Sequence, residues 1–224
     1  MSAGAGERRE RLVELYREVS SCTRCPLHET RTKTVFGAGN ADAELMFVGE
    51  APGAEEDRQG LPFVGRAGQL LNELLGEIGL SREDVFIANV LKSRPPGNRD
   101  PQPTEIAACE PYLFEQVRLI EPKVVCTLGN FSTKLLSGSP AGITRVRGTP
   151  QLHELGGRTV FLLPLLHPAA ALRTPAMKET LRADFATIPD LLAGPSPAPG
   201  QSAEDVPEDE ISPPPAADQL DMFG

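Results

Sequence analysis

No apolar run in this 224-residue chain approaches the length that crosses a bilayer, so a membrane-embedded body is not expected. Met1 to Glu10 is polar and charged, without an apolar h-region, which argues against a secretory leader and for the cytoplasm. The chain has no Gly-x-x-x-x-Gly-Lys-Ser/Thr loop and no Gly-x-Gly-x-x-Gly fingerprint, so nucleotide-cofactor binding is disfavoured. A Gly-x-Ser-x-Gly elbow is also missing, which excludes the nucleophilic serine chemistry built on that turn. Cysteine is scarce, with four residues. In a reducing compartment these read as metal ligands or core residues rather than disulfides. Lys and Arg are absent from residues 195–224, which hold seven acids. Taking those seven from the 31 acids leaves 24 against 22 basic residues, so the net charge of −9 falls to −2 for the body. A near-neutral body can carry a local basic face, and whole-chain charge does not exclude a nucleic-acid partner.

What is present is an alternation of strands and helices. Leu12, Leu15, Tyr16 and Val19 follow helical spacing, so Glu7–Ser20 is expected to be an amphipathic helix. Strands are expected at Glu44–Val48, Val85–Asn89, Lys123–Leu128 and Thr159–Leu166, the last interrupted by Pro164. Helices are expected near 67–78, 104–120, 132–136 and 177–192, with a loop at Arg94–Pro101. This order argues for a parallel sheet with helices on both faces. From Gly194 on, Pro, Ala, Ser and acids replace the periodic pattern. Such a segment cannot bury enough apolar surface to order itself. The reading is one domain over 1–193 and a disordered acidic tail over 194–224.

Three polar residues follow three strands: Glu50, Asn89 and His167. Strand ends of a parallel sheet lie side by side, so the three can converge in one crevice. The turn after the first strand, Gly49-Glu50-Ala51-Pro52-Gly53, leads to Leu61-Pro62-Phe63-Val64-Gly65. A carboxylate, a carboxamide, an imidazole and an aromatic face, with no lysine in the loop, suit a flat uncharged ring such as a nucleobase. Asn can donate and accept on a base edge, and Phe can stack. Separately, Asn89 could cap a turn, His167 could serve a loop and Phe63 could be core; their joint placement favours a site.

Together with Glu56-Asp57, Asn89-Val90-Leu91-Lys92, Arg94-Pro95-Pro96-Gly97-Asn98-Arg99 and His167-Pro168, these motifs resemble the family 4 uracil-DNA glycosylases, over roughly Leu12–Leu192. The resemblance implies a three-layer αβα fold around a mainly parallel four-stranded sheet, acting as a cytoplasmic, nucleoid-associated monomer. It implies a base-flipping DNA repair enzyme that hydrolyses the N-glycosidic bond of uracil and leaves an abasic site, without a catalytic metal. The alternative is a protein that binds uracil-DNA without efficient turnover. On matching positions, Phe63 stacks on the flipped uracil and Asn89 pairs with N3–H and O4. The Ala51 backbone reaches the base edge, and His167 donates to O2. Glu50 faces the sugar, as a base or electrostatically. Arg94 and Arg99 are candidate phosphate contacts, or else solvated loop arginines, and Leu172 or Arg173 is the candidate wedge into the vacated stack, or else part of a simple turn into the last helix. The covalently trapping relatives have a basic, histidine-containing insertion after the second strand; this chain has no His in Arg94–Asp100, which implies ordinary turnover.

Cys22-x-x-Cys25 after a helix aims two thiolates at one metal group. The resemblance implies a 4Fe-4S cluster with a further cysteine directly after Asn89-Val90-Leu91-Lys92 and another sixteen residues on. Cys109 stands at the second place and Ser93 at the first. Three outcomes are open: a serine-ligated corner, a cluster short of one iron, or a site that is empty or holds zinc. Cys126, in mid-strand, reads as core. At the C-terminus, Gln219-Leu220-Asp221-Met222-Phe223 resembles the bacterial sliding-clamp-binding peptide, with Met222 a departure. It implies a clamp partner reached through an extended acidic linker.

Overall fold

The computed structural model describes residues 4–198. Its centre is a six-stranded sheet of order β1-β3-β2-β4-β6-β5. The strands are β1 (Ala38–Gly39), β2 (Leu45–Gly49), β3 (Phe86–Asn89), β4 (Val124–Leu128), β5 (Gln151–Leu155) and β6 (Arg158–Leu165). The expected four-stranded, mainly parallel sheet is thereby corrected. β3, β2, β4 and β6 do run parallel, but both edges are antiparallel, β1 on β3 and β5 on β6. The sheet is mixed.

Each edge has a local cause. β1 is two residues long and ends at Gly39, whose φ of 130° is closed to ordinary side chains. β5 and β6 form a hairpin across Gly156-Gly157, with φ of 58° and 75°. Positive φ at both central residues is the signature of the tight turn that matches strand twist. Pro164 does not break β6, because β5 stops pairing at Leu162 and the missing N–H falls beyond that partner.

The parallel strands are buried on both faces, and successive residues feed opposite cores. In β2, Met46 and Val48 join a core with Leu15, Val19, Leu113 and Val117. Leu45 and Phe47 join the other, with Leu71, Leu74, Leu181 and Phe185. The first core is covered by α1 (Ala5–Ser20) and α4 (Pro103–Ile120). The second is covered by α3 (Arg66–Glu77), α8 (Pro175–Phe185) and α9 (Ile188–Ala193). α8 and α9 replace the single expected last helix, with Pro189 in the first turn of α9, where its missing N–H is harmless. α2 (Ala54–Gln59), α5 (Asn130–Ser137), α6 (Ile143–Val146) and α7 (Pro168–Ala171) are short connectors. Cys126 lies in the second core, fully buried, and loss of water pushes its thiol pKa far up.

The chain leaves β2 toward β3 on one side and reaches β4 on the other. The carboxyl ends of β2 and β4 therefore flank the point where strand order reverses, where open α/β sheets form ligand crevices.

Candidate nucleobase site

A cavity of about 550 Å³ opens at that point, lined by Glu50, Asp100, Gly129, Asn130, Lys134 and His167 among others. Glu50 follows β2 directly and is half-buried. Burial pushes its carboxyl pKa up, and the neighbouring Asp100 charge adds to the rise.

His167 caps the N-terminus of α7: its Nδ1 accepts the Ala169 N–H at 3.0 Å. A neutral imidazole with Nδ1 accepting carries its proton on Nε2. The ring is therefore set as an Nε2–H donor on the cavity wall. Loss of water pushes its pKa from the ordinary 6.5 to about 4, against an opposing pull from Glu56. Gly129, at φ 95°, leaves room beside it: a β-carbon there would stand 3.0 Å from His167 Cβ.

Asn89 and Phe63 do not line this cavity but are buried beside it, 2 % and 6 % exposed. Asn89 pairs in register with Gly49 across β2 and β3. A β-carbon on Gly49 would come within 2.4 Å of Asn89 Oδ1 and 2.8 Å of Phe63 Cζ, so carboxamide and ring close over a residue without a side chain. The Phe63 ring stacks on His167, centroids 5.8 Å apart at 29°. Glu50, Phe63, Asn89 and His167 thus form one neighbourhood, with Ala51 half-buried at the turn.

The backbone under Asn89 is held by Lys92. Its fully buried ammonium donates to Asn89 O at 2.8 Å and Gln116 Oε1 at 2.6 Å. Gln116 in turn donates to Phe36 O at 2.8 Å. Desolvation lowers the Lys92 pKa to about 7.

The expected DNA contacts lie outside this centre. Leu172 is 38 % exposed, and Arg173 beside it is exposed. Arg94 donates through Nε to Asn98 Oδ1 at 2.7 Å. Arg99 spends three N–H groups, two on Glu105 and one on Asp100 O. Glu105 is buried, and its carboxylate also closes the capping box of α4, so this pair anchors the loop that carries Asp100. Asp100 and Lys134 were not anticipated as lining residues, since a lone charge in a loop or short helix has no distinguishing pattern.

Cys109 is part of the first core, and Cys22 and Cys25 pack against that core. Cys109 is within electrostatic reach of both others; burial first, and they in small part, raise its pKa. Its sulfur accepts the Lys92 N–H at 3.5 Å. Ser93 follows, buried, with its hydroxyl accepting from Arg31 at 3.3 Å. Among the described residues, no group of three or more His, Cys, Asp or Glu is placed to hold a metal ion. Residues 219–223 lie outside the described residues. Among those described, no helix is long and apolar enough to cross a membrane.

A family model described as the uracil DNA glycosylase superfamily matches residues 36–188. The chain is 51% identical over 167 residues to the type-4 uracil-DNA glycosylase of Thermotoga maritima, covering 74% of this chain and 85% of that one. It is 46% identical over 186 residues to the Archaeoglobus fulgidus type-4 enzyme, covering 81% and 94%. Against the Sulfurisphaera tokodaii type-4 enzyme it is 46% identical over 189 residues, covering 82% and 86%.

The depressed pKa of His167 has a fixed sign. The folded state prefers the neutral ring, so this group's contribution to stability is complete above about 6.5 and is lost as pH falls through about 4. Nitrogen NMR of the ring is expected to show Nε2 protonated and Nδ1 bare at pH 6. Ionisation of the ring between pH 6 and 7 would contradict this assignment.

Proposed function

The chain belongs to the uracil DNA glycosylase superfamily and is a glycosylase acting on uracil in DNA, and from that premise we propose that the crevice at the β2–β4 switch point is its active site. The observation that carries this reading is the set tautomer of His167 on the wall shared with Glu50. The base leaves the stack, because its reactive carbon is inaccessible in a duplex. Phe63 stacks on the flipped uracil, and Asn89 meets N3–H and O4. Cytosine offers the opposite donor and acceptor order, and a mismatched buried polar group costs about 1–3 kcal/mol. Ala51 contributes its backbone at the base edge.

As the C1′–N1 bond breaks, its electron pair moves into the uracil ring toward O2. The Nε2–H of His167 is the donor for that charge. It serves as a neutral donor, since the desolvated ring does not hold a second proton near neutral pH. A donor preset toward developing charge is typically worth about 10²–10³ in rate. Glu50 faces the sugar, where positive charge grows and water adds to C1′. Its raised pKa follows from burial and from Asp100. Leu172 or Arg173 fills the vacated stack, and Arg94 contacts phosphate. Arg99 has two N–H groups left for a phosphate after its three bonds within the loop.

Cys22, Cys25 and Cys109 would hold an iron–sulfur cluster, since thiolates are the usual ligands of that group. The N–H···S bond from Lys92 is of the kind that stabilises such sulfurs. Ser93, with a hydroxyl already bonded to Arg31, makes the fourth corner the weak one. When bound, the cluster supplies a cross-link between the end of α1, the Ser93 segment and α4. The acidic tail ending in Gln219, Leu220, Asp221, Met222 and Phe223 serves as a tether to the bacterial sliding clamp.

Three measurements test these assignments. A uracil-containing oligonucleotide treated with the protein and then alkali is expected to break at the uracil, and His167→Ala to slow this about 10²-fold or more. A strand that stays intact with the wild-type protein refutes turnover and favours binding alone. Anaerobically purified protein is expected to contain iron and sulfide, with a paramagnetic signal on reduction; protein without iron would remove the cluster. Deleting residues 219–224 is expected to abolish clamp capture in a pull-down while leaving glycosylase activity intact, and unchanged capture refutes the tether.

A further inference from the structure

Phe63 occupies a backbone conformation that an aromatic residue does not choose. Its φ is +51°, in the left-handed region, where a side chain costs roughly 1–2 kcal/mol. Such a residue persists only where its surroundings over-determine it. Here they do so from three directions. Glu56 Oε1 accepts the N–H groups of Val64 and Gly65, at 3.0 and 3.1 Å. Gly68 in α3 backs onto the Phe63 carbonyl so closely that a β-carbon there would stand 1.7 Å from its oxygen. The third is Arg82, nineteen residues on in the loop before β3, which donates to Phe63 O at 2.9 Å and Pro62 O at 2.6 Å.

Arg82 is an unusual use of a guanidinium. Its bonds go to neutral oxygens, the two carbonyls and Asn72 Oδ1 at 3.2 Å. It is partly buried, and the loss of water pulls its pKa down. A planar fork held on two consecutive carbonyls fixes the two peptide planes that flank the Phe63 Cα, and so the direction in which the Phe63 side chain leaves the backbone. That direction lays the ring over Gly49 and against His167.

We propose that Arg82 is a positioning residue for base recognition: by gripping the Pro62 and Phe63 carbonyls it presets the Phe63 ring as a stacking platform before any base arrives. This rests on the reading of Phe63 as the residue that stacks on uracil. Arg82 itself does not line the cavity. Its effect passes entirely through the Phe63 ring, which gives the proposal a sharp signature.

The test is a double-mutant cycle on the full chain with a uracil-containing oligonucleotide, reading kcat/KM and inhibition by free uracil. Phe63→Ala is expected to lower kcat/KM roughly ten- to hundredfold, as lost base stacking implies. Arg82→Met is expected to lower it about tenfold and to weaken uracil inhibition by a similar factor. Arg82→Lys, which keeps a cationic donor group but not the planar fork, falls between Arg82→Met and wild type and carries the cycle if Arg82→Met does not fold. In the Phe63→Ala background, the Arg82 substitution is expected to cost no further activity. A merely structural role lowers the melting temperature and subtracts equally in both backgrounds, so additive losses overturn the proposal. Unchanged uracil inhibition in the Arg82 variants overturns it too. A fully active Phe63→Ala variant instead refutes the stacking role of Phe63, on which this inference stands.

Discussion

Gly49 ends β2 with no side chain, and the space that a β-carbon would take is filled from two sides by the Asn89 carboxamide and the Phe63 ring. This close approach depends on the parallel register of β2 and β3, which sets Gly49 opposite Asn89. The register in turn depends on strands buried on both faces, where a one-residue slip would exchange the two cores. Local chemistry and global packing therefore meet at one backbone position. An alanine there has no room without moving either the hydrogen-bonding group or the aromatic wall.

Around that point the molecule holds charge by burial and by pairing, in different places for different ends. Glu50 and His167, on the cavity wall, are both desolvated toward their neutral forms. Glu105, in the first turn of α4, and Arg99, in the loop before it, are paired, and the Glu105 carboxyl is held below its usual range chiefly by the arginine. The first arrangement suits groups that must respond to a reaction. The second suits a loop that must not move. Lys92 combines features of both: burial lowers its pKa to about 7, while its Nζ ties the Asn89 carbonyl to α4 through Gln116.

The sequence made Glu50, Asn89 and His167 legible because each stands one step beyond, or at the end of, an apolar run, and strand ends are where such runs are easiest to read. Phe63 was legible only through its flanking Pro62 and Gly65. The strained backbone of Phe63 and the reach of Arg82 were not, since both are tertiary facts about residues that look ordinary in a loop. The sheet was misjudged at its edges. β1 is too short to carry a pattern, and the half-exposed Gln151–Leu155 lacks the apolar density of the inner strands. The Gly156-Gly157 pair was the one available sign of the hairpin. Cys126 read correctly as core, because a thiol amid Val124, Val125 and Leu128 has nothing polar to serve. Asp100 and Lys134 carried no mark at all.

The corrected sheet also changes what its margins leave open. Inner parallel strands as apolar as these would be adhesive if a long, flat margin were left open to another chain. On one side the margin is a two-residue strand closed by Gly39, whose backbone presses against the Val85 carbonyl. On the other it is a five-residue strand bearing His153 and Glu154, folded back by a hairpin. The antiparallel edges thus act as selvedges, finishing a fabric that would otherwise fray into its neighbours.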